Sequence, residues 1–379
     1  MKNDSPHRLD ERRIGVLCIV AVVAILCATL WPFNPWPVNQ VTWLPDGNGI
    51  QLGHDGVVVS ERPLQPPPEP SAGKSCSIEL LLRTGSMEVS DTILGFYVPG
   101  HSTHLLVRQW MDGLLISHDS ADARGKVREA KLDVNHAFRV GELLLVTITS
   151  GPSGTVVYRN ATHAQSFPKF TIARNELAGQ IVLGTSPVDY RPWTGEIRGL
   201  ALYSRELTPA EVSRDYAGWT AVGAANPPNL DGALARYSFS ERTGREIRSS
   251  VPTAPTLEIP VSFNVPHKAI LKSAVKEYDP NRLYVNDILA NIAGFVPLGA
   301  IFCVYFSLRH SRAQAILNAT LAGASLSFAV EILQAYIPRR FSGTTDIITN
   351  TLGALLGAAI TNPGLIRKIL RSLKLLPAS

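Results

Sequence analysis

Four long apolar runs constrain the fold of this chain more than any other feature of its sequence. The first run, from Ile14 to Leu30, carries no charge over about 17 residues, close to the length that crosses a hydrocarbon core of about 30 Å. Three further runs lie near the C-terminus, over 283–308, 313–337 and 343–361, and each is long enough to span a bilayer. The sequence therefore predicts an α-helical membrane bundle of four spans.

The first run can be read as a cleaved signal peptide or as a permanent anchor. No A-x-A cleavage pattern follows it, and neither Cys18 nor Cys27 is preceded by the small-residue pattern of a lipoprotein site. These observations favour an uncleaved first transmembrane helix over residues 14–31.

Basic residues predict how the spans are oriented. They cluster before the first run, between the second and third runs, and after the fourth: Arg12 and Arg13; Arg309, His310 and Arg312; Arg367, Lys368, Arg371 and Lys374. Because positive residues favour the cytoplasmic side, we expect residues 1–13 and the basic tail 362–379 in the cytoplasm of a bacterium, with the spans in its inner membrane. The net charge of +5 follows from this topology and favours contact with anionic membrane lipid, and no nucleic-acid motif occurs.

The segment between the first two spans has the composition of an all-β domain. Runs such as "SIELLLRT", "ELLLVTITSG" and "GQIVLGT" are separated by Gly, Pro, Asn and Asp at the spacing typical of a sandwich. One helix interrupts them, where Thr208, Pro209 and Glu211 form a capping box. We therefore expect an inserted all-β sandwich outside the membrane, over residues 41–262.

The end of this segment resembles a known β-sandwich family. "WTGEIRGLALYSRELTPAEVSRDY" is similar to the final strand and following helix of the laminin-G-like, concanavalin A-like jelly roll. "GALARYSFSERTGREIRSS" resembles the strand that opens many such domains but follows the helix here, so the order is permuted or this strand closes the sandwich from the far end. Because some of these families bind sugars or proteins and others cleave glycans, the resemblance leaves both activities open.

Cleavage of glycans needs carboxylates in a fixed array. The cleaving relatives carry E-x-D-x-x-E on one strand, because an acid and a nucleophile must flank the same bond. No such array occurs, and the acids that stand alone are interpreted as solvated loop and strand charges: Glu176, Asp189 and Glu196. Tryptophan rings can stack on sugars, but core packing is the expected role of each: Trp110, Trp193 and Trp219.

Two octapeptides in the C-terminal spans repeat one pattern. "DILANIAG" begins at Asp287 and "DIITNTLG" at Asp346, and both carry Asp, Ile, Asn and Gly at the same offsets. On a helix, these offsets place the Asp, Asn and Gly on one face. The predicted topology makes the two helices parallel, so both aspartates are expected near the outer membrane surface.

The span between them adds polar groups at the same depth. Glu331 and Gln334 share one face, and Glu331 lies about six residues, or about 9 Å, before the outer end of its span. Arg339 and Arg340 follow on the outer side, against the usual charge rule, and an arginine there is expected to pair with the buried carboxylates.

These residues predict a polar pocket at outer-leaflet depth. Its expected members are Asp287, Asn291, Glu331, Gln334, Arg340, Asp346 and Asn350. The alternative is a structural role, in which the acids cap helices and the amides join them. Packing positions are expected in either case: Pro297, Gly299, Gly353 and Gly357.

The same residues resemble the VanZ-like membrane family. Its pattern is N-x-x-x-F-x-P-L-G, then E-x-x-Q, then R with D-x-x-x-N-x-x-G-x-x-x-G. It falls here on Asn291, Phe295, Pro297, Leu298, Gly299, Glu331, Gln334, Arg340, Asp346, Asn350, Gly353 and Gly357. The resemblance covers spans two to four, residues 283–361. Many members have an Asp three residues after the Arg, where this chain has Gly343, and any mechanism that uses this extra acid does not transfer.

The resemblance and the residues together leave three hypotheses of function. The family is named for a membrane protein linked to glycopeptide resistance, which implies a role in the cell envelope. First, the sandwich binds an envelope glycan or protein, and the pocket holds the headgroup of a membrane lipid or lipid-linked precursor. Second, the protein is an enzyme acting on such precursors, with Glu331 and Asp346 as general base and acid and Arg340 holding a phosphate. Third, the chain is a structural anchor or scaffold. No cofactor and no metal site are expected.

Overall fold

The computed structural model describes residues 6–66, 75–88, 90–99, 105–121, 127–221, 230–278 and 281–372. Lys374 of the basic tail and residues 67–70 of the Pro-rich stretch "LQPPPEP" lie outside the described residues. The chain divides into two compact units, a helical unit from Met1–Pro35 and Ala269–Ser379 and a β unit from Trp36–Lys268.

The helices of the described chain are α1 (Pro6–Leu30), α2 (Pro209–Thr220), α3 (Ala274–Glu277), α4 (Arg282–Phe306), α5 (Arg312–Ala335), α6 (Thr344–Ile360) and α7 (Pro363–Ser372). The strands are β1 (Val41–Trp43), β2 (Ile50–Leu52), β3 (Val58–Ser60), β4 (Cys76–Thr84), β5 (Ser90–Tyr97), β6 (Leu106–Trp110), β7 (Gly113–Ala121), β8 (Val127–Val134), β9 (Leu143–Gly151), β10 (Gly154–Arg159), β11 (Thr162–Phe167), β12 (Gln180–Leu183), β13 (Gly195–Tyr203), β14 (Ala233–Tyr237), β15 (Glu246–Ile247) and β16 (Leu257–Glu258).

The described chain has three helices long and apolar enough to cross a membrane, not the four that the sequence predicts. They are Glu11–Leu30, Arg282–Phe306 and Arg312–Ala335. The expected fourth span corresponds to α6, which has 17 residues. At 1.5 Å per residue this helix is about 26 Å long, shorter than a core of about 30 Å, and its first turn contains the polar residues Thr345 and Asp346.

The ends of the helical unit differ in charge. Arg309, which follows α4, pairs with Glu11 near the start of α1, with 2.6 Å between Nη2 and Oε1. Arg312 at the start of α5 donates to the carbonyl of Ala359 at the end of α6, at 3.2 Å. One end of the unit is therefore basic, and the opposite end is where α1 and α5 finish and α4 and α6 begin.

Small residues allow α4 and α6 to pack closely. A Cβ atom at Gly353 would overlap the carbonyl of Ile292, and one at Gly357 would overlap the carbonyl of Val296. Gly299 of α4 lies in the same way against Ala354 of α6. Backbones in such contact are typical of helix interfaces in membranes.

The β unit is an all-β sandwich of two antiparallel sheets, as expected of a jelly roll. In the described residues, one sheet has the order β1-β2-β13-β4-β9-β10-β11, and the other has the order β15-β16-β3-β12-β5-β6-β7-β8. Alternate residues of β4, such as Leu80 and Leu82, lie in the core and pair with Val146 and Leu144 of β9. The sequence runs in this segment therefore form strands whose alternate side chains fill one core.

The strand after the capped helix completes the first sheet. In β14, Tyr237 pairs with Leu200 of β13, while β2 pairs with the earlier part of β13. The two strands therefore share β13, which is how the late strand closes the sandwich. Helix α2 begins with the predicted capping box, in which Thr208 Oγ1 accepts from the amide of Glu211 at 3.3 Å and Glu211 accepts from the amide of Thr208 at 2.8 Å.

Candidate functional site

Among the acids of the helical unit whose burial the structure describes, Glu331 is the most deeply buried, with 1% of its surface exposed. Its Oε2 atom accepts a hydrogen bond from the amide of Gly343 at 2.7 Å. Gly343 immediately precedes α6, and the first amides of a helix have no partner within the helix. Glu331 therefore supplies an acceptor to the start of α6, where the helix dipole also favours negative charge.

Asp346 lies beside Glu331 in the first turn of α6. Its Oδ1 atom accepts a hydrogen bond from the side-chain Nδ2 of Asn291 on α4, at 2.8 Å. The carboxyl groups of Asp346 and Glu331 lie within hydrogen-bonding reach of each other. The structure thus brings together three of the predicted pocket residues from three different helices.

A second polar layer lies one helical turn deeper. Asn350 Nδ2 donates to Ser327 Oγ at 2.9 Å, and Ser327 Oγ lies 3.5 Å from the carbonyl oxygen of Asp346. Asn350 is 5% exposed, and its Oδ1 atom has no hydrogen-bond partner in the structure. Asn350 and Ser327 therefore form a polar contact between α6 and α5.

Glu277 joins the site although sequence reasoning did not select it. It lies in the short helix α3, and its Oε2 atom accepts from the amide of Thr345 at 3.0 Å and from the hydroxyl of Thr345 at 2.6 Å. A bridge between Lys272 and Gly343 brings this segment to the start of α6. The contact joins residues far apart in sequence, and no motif marks it.

Asp287 is exposed and forms no hydrogen bond or ion pair with any residue the structure describes. It lies one helical turn before Asn291, which donates to Asp346. We call Glu277, Asp287, Glu331 and Asp346 the carboxylate cluster. None of its members pairs with a Lys or Arg within the described ranges.

Two predicted pocket residues contact α1 instead of the carboxylates. Gln334 Nε2 donates to the carbonyl of Thr29 at 3.0 Å, and Arg340 Nη2 donates to the carbonyl of Trp31 at 2.6 Å. The expected pairing of Arg340 with the buried carboxylates is therefore not observed. The physical reason is that the last carbonyls of α1 lack helical partners, and donors, particularly cations, are favoured there.

The site contains carboxylates but no grouped metal ligands. Among the described residues, no three His, Cys, Asp or Glu side chains are arranged to hold a metal ion. Pro297 lies inside α4 and is exposed, away from the carboxylate cluster.

Of the three tryptophans that the sequence analysis considered for sugar stacking, two have packing roles. Trp193 is fully buried and donates to Gln109 Oε1 at 2.7 Å. Trp219 donates to Glu79 Oε2 at 2.9 Å, and the guanidinium of Arg236 lies 3.7 Å from its ring. Trp110, in contrast, is 51% exposed.

The turn that follows Trp110 contacts a polar groove. Asp112, in the turn after β6, contacts His136 with 2.5 Å between Oδ2 and Nδ1. His136 lines a groove of about 440 Å³, whose other polar residues include Arg159 and His163. The exposed ring of Trp110 is therefore two residues from an acid that contacts the groove, although the ring itself does not line it.

Two of the three isolated acids of the β unit, Glu176 and Glu196, have side-chain or backbone partners nearby. Glu176 contacts His118 and accepts from the amide of Ala173 at 2.5 Å. Glu196 pairs with Arg83 at 3.0 Å and with Arg198 at 2.8 Å. Asp189 lies in a loop, and its backbone amide donates to Ser186 Oγ at 3.3 Å. These contacts agree with the interpretation of these acids as loop and strand charges.

A buried acid that the sequence analysis missed lies beneath α2. Glu79, on the outer face of β4, is fully buried and accepts from Trp219 and from the hydroxyl of Tyr203. Burial raises the pKa of Glu79 to about 7. Burial also raises the pKa of Asp215, and each carboxyl has one oxygen without a hydrogen-bond partner in the structure. The alternation of β4 could have revealed this position, because Glu79 lies on the face opposite the core.

Solved structures resemble part of the chain at low identity. The receptor binding domain of botulinum neurotoxin D has 17% identity and a TM-score of 0.34, with 48% of this chain and 46% of that chain covered. A Bacteroides ovatus protein described as carbohydrate binding has 13% identity and a TM-score of 0.37, covering 60% and 62%. A heptameric SAP-like pentraxin from Limulus polyphemus has 12% identity and a TM-score of 0.33, covering 59% and 93%. This chain covers less than two thirds of the length of the neurotoxin domain and of the Bacteroides ovatus protein.

Family models match two parts of the chain, and no curated protein matches it. The concanavalin A-like lectin/glucanases superfamily matches residues 64–213, in the β unit. VanZ/LLP1 matches residues 237–367, which include α4, α5 and α6. The chain thus contains a concanavalin A-like domain and a VanZ-like domain.

Proposed function

We propose that this chain is a cell-envelope protein of a bacterial inner membrane, whose sandwich binds an envelope glycan outside the membrane. In this proposal, the helical unit holds the headgroup of a membrane lipid or lipid-linked precursor near the outer surface. The protein would serve envelope maintenance, and a link to glycopeptide resistance is part of the same proposal.

The basic end of the helical unit supports the orientation. Arg309 and Arg312 lie at the end where α1 begins, beside Glu11 and Ala359 respectively. Positive residues favour the cytoplasmic side, so this end is proposed to face the cytoplasm. The termini would then both be cytoplasmic. Helix α6 packs on α4 and is proposed to complete a four-span bundle, with local thinning of the bilayer accommodating its shorter length.

Exposed aromatic side chains support the depth of the carboxylate cluster. Trp31, Tyr336 and Phe341 are all exposed and lie after α1, after α5 and before α6. Aromatic residues of this kind are enriched where a membrane meets water. The cluster, which adjoins the same helix ends, is therefore proposed to lie at the level of lipid headgroups.

The observations that support the glycan proposal are the exposed ring of Trp110 and a polar groove that the turn after Trp110 contacts through Asp112. Sugar rings present apolar faces to aromatic side chains and hydroxyl groups to polar ones. Trp110 supplies the first kind of contact, and His136, Arg159 and His163 supply the second. A glycan is therefore a better match than a protein for this surface.

Glycan binding by the full chain tests the proposal. The purified chain in lipid nanodiscs would be applied to arrays of envelope polysaccharides and peptidoglycan fragments. We expect a specific ligand, and Trp110→Ala should weaken its binding at least tenfold. Trp36→Ala is the matched control, because Trp36 is 73% exposed and lies far in sequence from the turn whose Asp112 contacts His136 of the groove. Equal loss from both variants, or no bound glycan with a folded chain, would contradict the proposal.

Cysteine labelling tests the orientation separately. In a chain whose native cysteines are replaced by Ala, Val261→Cys places a thiol at an exposed position of the β unit. Arg13→Cys places one near the proposed cytoplasmic end. An impermeant maleimide should label the first variant, and not the second, in intact spheroplasts. The reverse pattern would overturn the orientation.

A further inference from the structure

One face of helix α5 carries two polar side chains that have no partner in the part of the chain that the structure describes. Asn318 and Ser325 lie about two helical turns apart, so they share a face. Neither side chain is buried, and neither forms a hydrogen bond with a described residue. Polar groups on other faces of α5 are paired, since Thr320 donates to a carbonyl one turn earlier and Ser327 accepts from Asn350.

Both side chains lie at a depth where lipid tails surround the helix. Helix α5 has 24 residues and is therefore about 36 Å long, which exceeds a hydrocarbon core of about 30 Å. Asn318 lies about 9 Å from the start of α5, and Ser325 lies about 20 Å from it, near the middle. Lipid tails form no hydrogen bonds, and Asn and Ser in spans bond across to neighbouring helices. These two side chains therefore indicate a protein partner on this face.

Alanines separate the two polar positions. Ala322 follows Asn318 by four residues, and Ala329 follows Ser325 by four, so the four residues recur at the alternating spacing of a helix-pairing seam. We call Asn318, Ala322, Ser325 and Ala329 the α5 seam. None of the four is buried by the other described helices. The exposed side of α6 instead carries large apolar residues such as Leu352, which suit contact with lipid.

A second copy of the same chain matches the α5 seam. Two copies inserted with the same orientation have parallel α5 helices, so a two-fold contact brings Asn318 of each copy to the same depth. An amide and a hydroxyl each contain a donor and an acceptor, so each can pair with its own counterpart. Ala322 and Ala329 allow the two backbones to approach closely, as small residues do at helix interfaces in membranes.

We propose that the α5 seam is a dimer interface, on which α5 of one protomer packs in parallel against α5 of a second copy. Asn318 and Ser325 supply hydrogen bonds across the interface, and the alanines supply close contact. The inference requires only that α5 crosses the membrane. It depends neither on glycan binding by the sandwich nor on a lipid headgroup at the carboxylate cluster.

Oxidative cross-linking of the full chain in membranes tests the interface. In a chain whose native cysteines are replaced by Ala, Ala322→Cys places a thiol in the α5 seam. Leu352→Cys is the matched control, because it places a thiol on the exposed side of another helix. We expect Ala322→Cys to give a covalent dimer as its main product and Leu352→Cys to stay monomeric. Equal yields from the two variants, or no dimer from either, would overturn the proposal.

Substitutions of Asn318 separate pairing between copies from folding of one copy. Energy transfer between labelled full chains diluted in liposomes would measure dimerisation. Asn318→Leu removes the amide and should weaken dimerisation about fivefold to thirtyfold, whereas Asn318→Gln keeps a donor and an acceptor and should weaken it less. Because Asn318 has no described partner in its own chain, Asn318→Leu should leave the thermal unfolding of the dilute, monomeric protein unchanged.

Two further outcomes would overturn the inference. Unchanged dimerisation of Asn318→Leu, with a loss of thermal stability in the monomer, would give this side chain a role within its own chain. Cross-linking of Ala322→Cys to a product of a different mass would assign the α5 seam to another membrane protein. None of these results bears on glycan binding by the sandwich, so the two proposals fail separately.

Discussion

The octapeptides that begin at Asp287 and Asp346 share four residues at the same offsets, yet they lie in different environments. Asp287 is exposed, and a side chain added at Gly294 would meet open space. Asp346 is half-buried, and Gly353 lies against the backbone of α4. The two ends of the first octapeptide are therefore open, and its Asn291 reaches Asp346, whereas the second octapeptide forms a packed interface.

The rotation of α4 about its axis causes this difference. The carbonyls of Ile292 and Val296 meet Gly353 and Gly357 of α6, so the stripe that begins at Asp287 is turned to one side. A sequence pattern predicts which residues share a helix face. The neighbouring helices decide what that face contacts, because each helix rotates to bury its best-packing surface.

Gly353→Leu should give the largest effect, since any side chain there overlaps the carbonyl of Ile292. Overpacking costs about 1–3 kcal/mol, and where backbones touch we expect about 3 kcal/mol. Thermal unfolding of the full chain in detergent and its abundance in membranes would measure the loss. Gly294→Leu is the matched control and should change little. Equal losses would remove the distinction between the two octapeptides.

Glu79, a buried acid of the β unit, should make the free energy of unfolding of that unit depend on pH. Glu79 has a pKa raised by burial to about 7, above its usual 4.5, so the folded chain binds more protons between these values. The free energy of unfolding of the β unit should therefore fall as pH rises from 4.5 to 7, by about 2 to 3 kcal/mol, and then level off.

Denaturant unfolding of the full chain, followed by tryptophan fluorescence across this pH range, would measure the fall. Glu79→Gln should flatten most of the dependence, leaving a smaller part from Asp215, whose pKa is also raised. Glu246→Gln, at an exposed acid paired with Arg248, should leave the dependence unchanged. A rise in stability over this window would contradict the buried position of Glu79.

Arg340→Ala tests whether this arginine belongs to α1 or to the carboxylates. Losing its hydrogen bond to Trp31 should cost about 1 kcal/mol. In a double-mutant cycle with Asp346→Asn, the two effects should add within about 0.5 kcal/mol, because the residues have no shared partner. A coupling free energy above about 1 kcal/mol in thermal unfolding would instead support the ion pair between Arg340 and Asp346 that the sequence predicted.

Sequence patterns revealed the apolar helices, the sandwich and the capping box at Thr208, because each depends on local periodicity or local hydrogen bonds. They also predicted that Glu331 and Asp346 lie at the same depth in the membrane. They did not reveal Glu277, whose contact with Thr345 depends on a bridge between distant segments. The partner of Arg340 was missed for a related reason, since a backbone carbonyl leaves no mark in the sequence.

The stability effects of the aspartates should be the smallest, because neither is an N-cap: Asn281 caps α4, and Gly343 stands before α6. Either substitution by Asn keeps the size and polarity of the side chain and should cost only a few tenths of a kcal/mol if the role of the acid is structural. Any larger effect on function than on stability would therefore indicate a binding role. The environments of the two octapeptides predict that Asp346 is the more sensitive position.

Complementation tests most directly the central claim, that the carboxylate cluster serves a function beyond capping α6. Cells that lack the protein and show an envelope-stress or glycopeptide-susceptibility phenotype would receive wild type, Asp346→Asn or Asp287→Asn at matched membrane abundance. We predict that Asp346→Asn inserts normally but fails to complement, and that Asp287→Asn complements in part. Wild-type behaviour from both variants would contradict the account and leave the cluster as a helix cap.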